Sequence, residues 1–419
     1  MSISGNPTQP GGHADRKALT FIFITVFIDL LGVGILIPIL PFIVRQFNTD
    51  ALSVAMLSAS YSLFQFAAAP MLGWLSDRYG RRPVLLLSLL GTAFGYFVFG
   101  TAGTLWLLFV ARIIDGITGG NISIAQAFIA DVTPPKDRSK AFGLIGGAFG
   151  LGFIIGPALG GLLSNISLSA PAYFAGALSL ANVVLGYFVL PESLPAERRV
   201  HEPLSFSKVN PVSTIWDALR RPRVSSLLLA VFGFNFAFSG LQNNFSLFTL
   251  ERFGWGPTQN AILFSLVGVI GVIMQTAIVR RLVPRFGDRR LAIFGLGLQV
   301  ATYLLIAFVP QAWMLFPVLG LLSVGNGFTT PTLTGLISNQ VSPSEQGSIL
   351  GVTQSLNSLT RVFGPLWAGL AFDTIGVGAP YWSGALFIAI AMLLVLNSKR
   401  SADMPEAVAQ PAVGISTGK

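Results

Sequence analysis

The chain has 419 residues, 53% hydrophobic and only 10% charged, with a mean hydropathy of +0.71; soluble domains carry about 25% charged residues. Apolar segments near 20 residues recur, each able to cross about 30 Å of hydrocarbon, so the composition is that of a polytopic helical membrane protein. The lack of cysteine excludes disulfides and thiolate chemistry, and His13 and His201 both fall in polar stretches, so no metal centre, histidine relay or cofactor is expected. The net charge of +9 is scattered over loops, which reads as membrane orientation rather than as a nucleic-acid-binding face.

Residues 1–18 are polar and lack the apolar core and small-residue cleavage site of a signal peptide, so the first span is expected to act as the insertion signal. Twelve spans follow: 19–44, 53–75, 83–102, 104–132, 140–164, 170–190, 224–250, 258–282, 291–308, 313–341, 346–372 and 381–397. Several exceed 25 residues and must tilt or project. Of the 26 Lys and Arg, 22 fall in or against the N-terminus, the even-to-odd loops and the tail; Arg45 and Arg252 lie on the other side, and Arg112 and Arg361 lie within spans. That bias predicts that both termini are cytoplasmic. Residues 191–223 break the apolar pattern, forming a linker between six-helix bundles at 19–190 and 224–397; Ile215, Trp216 and Leu219 within it suit a short amphipathic surface helix. The tail, 398–419, is small and polar and is expected to be disordered.

The two bundles repeat one another. A shift of 207 places Arg78-Tyr79-Gly80 on Arg285-Phe286-Gly287 and Arg82 on Arg289. A shift of 208 places Gly156-Pro157 on Gly364-Pro365, Gly143 on Gly351 and Pro135 on Pro343. Three charges of the first half do not repeat: Asp77 falls on Pro284, Arg112 on Gly320 and Asp115 on Ser323.

The densest charge cluster is GWLSDRYGRRPVLLL at 73–87, where Asp77, Arg78, Arg81 and Arg82 fall between two spans. Orientation alone needs only the arginines. Gly80 suits a tight reversal and Pro83 the first turn of a helix. This stretch resembles the loop between the second and third helices of the major facilitator superfamily, in its drug:proton antiporter branch, and comes near the tetracycline-efflux pumps. DLLGVGILIPILP at 29–41, ARIIDGITGG at 111–120, IADVTPPKDRSKAFG at 129–143, GFIIGPALGGLL at 152–163 and LPES at 190–193 extend the resemblance over nearly the whole chain. It implies a twelve-helix, all-α membrane fold of two pseudo-symmetric halves. It also implies a gate formed by Gly73, Asp77, Arg78, Gly80, Arg81 and Arg82 with Asp131, in which Asp77 caps the positive end of span 11 near Gln346.

Asp29 lies ten residues into the first span, about 15 Å deep. A carboxylate there costs several kcal/mol if charged and unpaired, so it is either a proton carrier or a structural hydrogen-bonding group; the resemblance favours the carrier. In span 4, Arg112, Asp115, Gly119, Ser123 and Gln126 recur at three- or four-residue steps as one polar stripe. Arg112 and Asp115 can pair structurally, and the resemblance links the arginine to proton coupling, with Asp115 as the next acid. Gly152, Gly156, Pro157, Gly160 and Gly161 allow close packing and a bend in span 5, and resemble the antiporter signature. Gln126 and the neutral polar positions of the second half, Asn235, Gln242, Asn326 and Asn357, with Arg361, are expected to bind substrate, so spans 1, 4, 7, 10 and 11 are expected to line the cavity. One departure concerns substrate. The pumps carry further acids where GTAFGY and LQVATYLLIAF place Gly95 and Gln299, which disfavours a tetracycline–metal chelate and suits a neutral or lipophilic compound.

The expected protein is a proton-coupled exporter of a small amphipathic compound, monomeric and in contact with lipid, in a bacterial inner membrane. The alternative is a transporter of a lipid-like or metabolic solute without proton coupling. A channel needs a continuous polar pore, and an enzyme needs a nucleophile–base pair or metal ligands; neither pattern is present.

Overall fold

A computed structural model describes residues 12–47, 50–133, 138–199, 211–222, 224–341 and 346–398. Most of the 1–18 segment, the middle of the linker, the tail beyond 398, Pro135 and Pro343 therefore lie outside the described residues. Among the described residues the chain is helical throughout, with no strand.

Among the described residues, ten helices are long and apolar enough to cross a membrane. The remaining two of the twelve expected spans are Arg138–Ser164, apolar from 150 onward, and Gln346–Thr374, made more polar by Gln354, Asn357 and Arg361. Three expected spans are interrupted, each with a local cause. The first splits into α1 (Gly12–Leu36) and α2 (Leu40–Arg45) at the turn around Pro38, which has no N–H to donate. The fourth splits into α5 (Leu105–Thr118) and α6 (Asn121–Val132) at Gly119-Gly120, whose ψ angles of 14° and 13° leave the helical range. The eighth runs from α11 (Pro257–Ile273) through a π-helical turn at Met274–Ile278 into α12 (Val279–Phe286).

The other elements are α3 (Ala51–Tyr79), α4 (Arg81–Gly100), α7 (Arg138–Ser164), α8 (Ala170–Val189), α9 (Pro211–Leu219), α10 (Ser225–Phe253), α13 (Asp288–Phe308), α14 (Leu315–Ser338), α15 (Gln346–Thr374) and α16 (Ala379–Asn397). The linker helix α9 is amphipathic as expected: Ile215 is buried, Trp216 is exposed under Arg220 at 5.1 Å, and the helix rests on α15. The repeat reaches the backbone. Gly80 and Gly287 adopt nearly the same conformation, φ 106° and 77° with ψ 153° and 154°. Arg82 donates to the Tyr187 carbonyl and Arg289 to the Leu396 carbonyl, each near the end of the last helix in its half.

Each half has its own apolar core, and the halves meet along α3 with α15 and along α7 with α11. Small residues set these approaches. A Cβ on Gly369 would lie 2.7 Å from Ala55 Cβ, and one on Gly161 2.3 Å from Ala261 Cβ. Among the described residues, polar links across the halves lie at the arginine-poor end, where Asp373 accepts from the Ala51 and Leu52 N–H groups at 3.1 and 2.8 Å, Arg45 pairs with Glu251 and Thr258 donates to Asn165 at 3.3 Å, and within the spans, where Ser265 donates to Ile154 O at 3.1 Å. The molecule is closed at the arginine-poor end.

Candidate functional site

Between the halves lies a cavity with about 1010 Å³ of atom-free space, part of it open to solvent. Its apolar lining comes from Leu30, Val33 and Leu36 of α1 with Ile37, Leu40 and Ile122. The polar lining is Asp29, Ser58, Tyr61, Ser62, Gln65 and Arg112 from the first half, and Ser239, Gln242, Asn243 and Arg361 from the second. α3 is thus a wall that the charge pattern did not point to, although Ser58, Tyr61, Ser62 and Gln65 recur at helical spacing. α14 contributes nothing to this lining.

Asp29, Arg112 and Asp115 are 9%, 7% and 2% exposed, deep enough that each needs a partner. Asn121 Nδ2–H donates to Asp29 Oδ1 at 3.0 Å. The Gly119-Gly120 break makes this possible by starting a new helix whose first residue turns inward. Arg112 Nη1 lies 3.3 Å from Asp115 Oδ2, and the guanidinium sits 4.8 Å from the Phe99 ring centroid and 5.6 Å from that of Tyr61. Its Nε and Nη2 have no hydrogen-bond partner among the described residues. Aromatic faces take up part of that charge. The same break interrupts the polar stripe expected through span 4: Gln126 is exposed and outside the cavity lining.

In the second half, Gln242 and Arg361 line the cavity, and Asn235, Asn326 and Asn357 do not. Asn235 donates to its own helix at Val231 O, and Asn326 accepts from Thr330. Gly95 packs against the backbone of α5, where an added Cβ would lie 3.2 Å from Asp115 Cβ. Gln299 is fully buried and donates to Thr329. Both positions are structural in this arrangement and stand apart from the cavity.

The glycine face of α7 brings α1 close. A Cβ on Gly152 would meet Leu30 Cβ at 3.0 Å, one on Gly156 would meet Gly34 Cα at 2.8 Å, and one on Gly160 would meet Ile35 O at 2.2 Å. Pro157 is buried on the same face, 3.5 Å from where a Gly34 Cβ would sit. This stripe therefore holds the helix that carries Asp29.

A second cluster closes the arginine-rich end of the first half. Arg81 Nη1 pairs with Asp77 at 2.6 Å and donates to Ser76 at 2.7 Å, while its Nε donates to Asp131 at 3.1 Å. Ser193 also donates to Asp131. Glu192 accepts from the backbone N–H groups of Arg81 and Arg82 at 2.8 and 3.2 Å, capping α4 in the way that helix N-termini favour. Arg78 lies over Trp74, and Gly73 faces open space. Asp77 is thus engaged by Arg81 in this state, and the side chain of Gln346 lies outside the described residues. Sequence reading missed Glu192 and Ser193 as members of this cluster.

The profile of the Major Facilitator Superfamily matches residues 22–365 and 276–412. The chain belongs to the major facilitator superfamily. It is 36% identical over 384 residues to the class C tetracycline resistance protein of Escherichia coli, spanning 91% of this chain and 95% of that one. The human major facilitator superfamily domain-containing protein 10 is 30% identical over 434 residues, 91% of this chain and 94% of that protein. The crystal structure of that human protein, described as an organic anion transporter, superposes with TM-score 0.70 over 92% of this chain and 100% of its own. A bacterial homologue of the lysosomal transporter Spinster shares the fold at TM-score 0.71 and 16% identity, covering 94% of this chain and 98% of its own. The superfamily membership makes this chain a membrane transporter of small molecules rather than an enzyme.

Proposed function

We propose that the chain exports a small lipophilic or amphipathic compound in exchange for protons, by alternating access around the central cavity. The observation that carries this is Asp29, buried against Asn121 on the wall of a cavity that lies between two halves closed at the arginine-poor end. An isolated carboxylate at that depth alternates between a protonated form, tolerated in an apolar wall, and an ionised form that needs a partner. Arg112 and Asp115 lie beside it as a neutralised pair. The arginine bias puts the clustered end and both termini in the cytoplasm, so the described state faces inward. The expected setting is a bacterial inner membrane, with the protein acting as a monomer in contact with lipid.

A second reading rests on Arg361, a cavity cation, and on the human relative's description as an organic anion transporter. In that reading the solute is an organic anion or metabolite and no proton is exchanged. Proteoliposomes with a trapped pH dye separate the two. Compounds that score in a growth-inhibition screen of expressing cells are added outside, and coupled proton movement is expected. Substrate movement with no proton movement supports the second reading.

A further inference from the structure

The two walls of the cavity differ in charge. Three charged residues line it: Asp29, Arg112 and Arg361. Arg112 is matched by Asp115, which leaves Asp29 as the wall charge of the first half, with a neutral amide as its hydrogen-bonding partner. The wall charge of the second half is Arg361. It lies 15 residues into the 29-residue α15, exposed to the cavity, with no hydrogen-bond or ion-pair partner among the described residues. The helix that carries it packs on α3, α10 and α16. A guanidinium retained at mid-depth with no structural partner is there to meet something in the cavity.

We infer that the cavity selects a dipolar amphipath, a molecule carrying one anionic and one cationic group on an apolar body. The anionic group is a carboxylate or sulfonate, which the guanidinium fork engages through two parallel N–H bonds. The cationic group meets ionised Asp29, and Val33, Leu36, Ile37 and Leu40 receive the apolar body. Ser239, Gln242 and Asn243, next to one another on α10, add neutral hydrogen-bonding groups to the Arg361 wall. A ligand with a single charge leaves the opposite wall charge without a partner as the halves close, and is rejected for that reason. The release step, unlike the charge selection, rests on the antiport reading, because the ammonium group and the transported proton compete for the same carboxylate: loading needs Asp29 ionised, and protonation releases the ligand.

The test uses the full-length protein in proteoliposomes at neutral pH and three fluorescent probes on one ring system. Norfloxacin carries both charges, its N-acetyl derivative only the carboxylate, and its ethyl ester only the ammonium. The wild type is expected to bind norfloxacin about tenfold more tightly than either derivative. Arg361→Gln, which removes no intramolecular bond among the described residues, is expected to abolish the preference over the ester; Arg361→Lys is expected to restore part of it. Asp29→Asn is expected to abolish the preference over the N-acetyl compound. Tightest binding of the N-acetyl compound, tightest binding of the ester, no binding of any probe, or an unchanged ranking in Arg361→Gln each overturns the inference. If the charge ranking holds but a pH gradient drives no uptake, the inference stands and the proton-antiport reading falls.

Discussion

Asp373, near the C-terminus of α15, caps the N-terminus of α3 across the boundary between the halves, accepting from Leu52 N–H at 2.8 Å and Ala51 N–H at 3.1 Å. A carboxylate at a helix N-terminus meets both unpaired N–H groups and the positive end of the helix dipole. The same two helices carry the mirror arrangement at their other ends, where Asp77 ends α3 and Gln346 begins α15. If the transporter alternates as proposed, α3 and α15 are expected to exchange caps: Asp373 on α3 in the described state and Asp77 on α15 in the opposite one.

Asp373→Asn keeps the shape of the side chain but loses the charge, and Asp373→Ala loses both bonds. Either is expected to shift the population by about 1–2 kcal/mol toward the state open at the arginine-poor end. The chain has no cysteine, so spin labels at Ile166→Cys and Ile375→Cys, exposed on opposite halves of that end, report the opening directly. A wider distance distribution in the variant is expected, and an unchanged one removes Asp373 from the gate.

Asp77→Asn is expected to act in the opposite direction. It weakens the cap available to α15 in the opposite state and the pairing with Arg81 in this one. Transport is expected to stop while folded protein still reaches the membrane, and the same labels are expected to report a narrower, closed distribution. Wild-type transport rates in this variant would falsify the exchange of caps.

Gly80→Ala is expected to destabilise the first half by about 1–3 kcal/mol, because φ 106° with ψ 153° is a region essentially reserved for glycine. An added Cβ there would also lie 2.4 Å from Glu192 Oε2. Glu192→Ala, which removes the cap of α4, is expected to cost about 1 kcal/mol. Melting of purified protein measures both, and the two effects are expected to be non-additive, since the methyl group displaces the same carboxylate.

Asp50 offers a pH test outside the membrane. Hydrogen bonds from the Ser53 hydroxyl and then the Ser53 N–H hold its carboxyl below the ordinary range. A lowered folded-state value gives stabilisation that is present above the unfolded-state value, about 3.9, and is lost as pH falls through the folded one. The stability difference between wild type and Asp50→Ala is therefore expected to be larger at neutral pH than in acid, where the protonated carboxyl keeps only the weaker hydrogen bonds of a neutral acceptor. A difference that does not change with pH shows that the charge of the carboxylate contributes nothing to the cap.

Much of this arrangement was legible in the residues. Hydropathy marked the spans, and the shift of 207 that joins Arg78-Tyr79-Gly80 to Arg285-Phe286-Gly287 reappears as matching backbone at Gly80 and Gly287. What pattern could not supply was pairing over distance. Glu192 caps a helix that begins 111 residues earlier, and Asp373 caps one more than 300 residues earlier. In sequence both read as ordinary interfacial acids. Helical spacing also assumes an unbroken helix, so a polar stripe drawn through Gly119 hid the break at Gly119-Gly120, which turns Asn121 inward and carries Gln126 away from the cavity. The wall from α3 rests on Ser58, Tyr61, Ser62 and Gln65, whose helical spacing does not by itself say whether that face meets a cavity or a neighbouring helix.

The proton site is the decisive prediction. Asp29 is the cavity-lining acid, and Asn121 Nδ2–H donates to its Oδ1. Asp29→Asn preserves volume but cannot release a proton, so it is expected to lose accumulation driven by a pH gradient and to keep downhill exchange. Asn121→Leu removes the donor that stabilises the ionised form. It is expected to weaken that form by about 1.5–3 kcal/mol, the usual contribution of a hydrogen bond to a charged group, and so to move the pH dependence of exchange toward higher pH. A structural role for the pair makes a different prediction, loss of expression or melting temperature with no movement of the pH profile. Both readouts come from the same proteoliposomes, with and without an imposed gradient. If Asp29→Asn still concentrates substrate, the carrier is elsewhere, and Asp115, paired with Arg112 at 3.3 Å, is the next residue to replace.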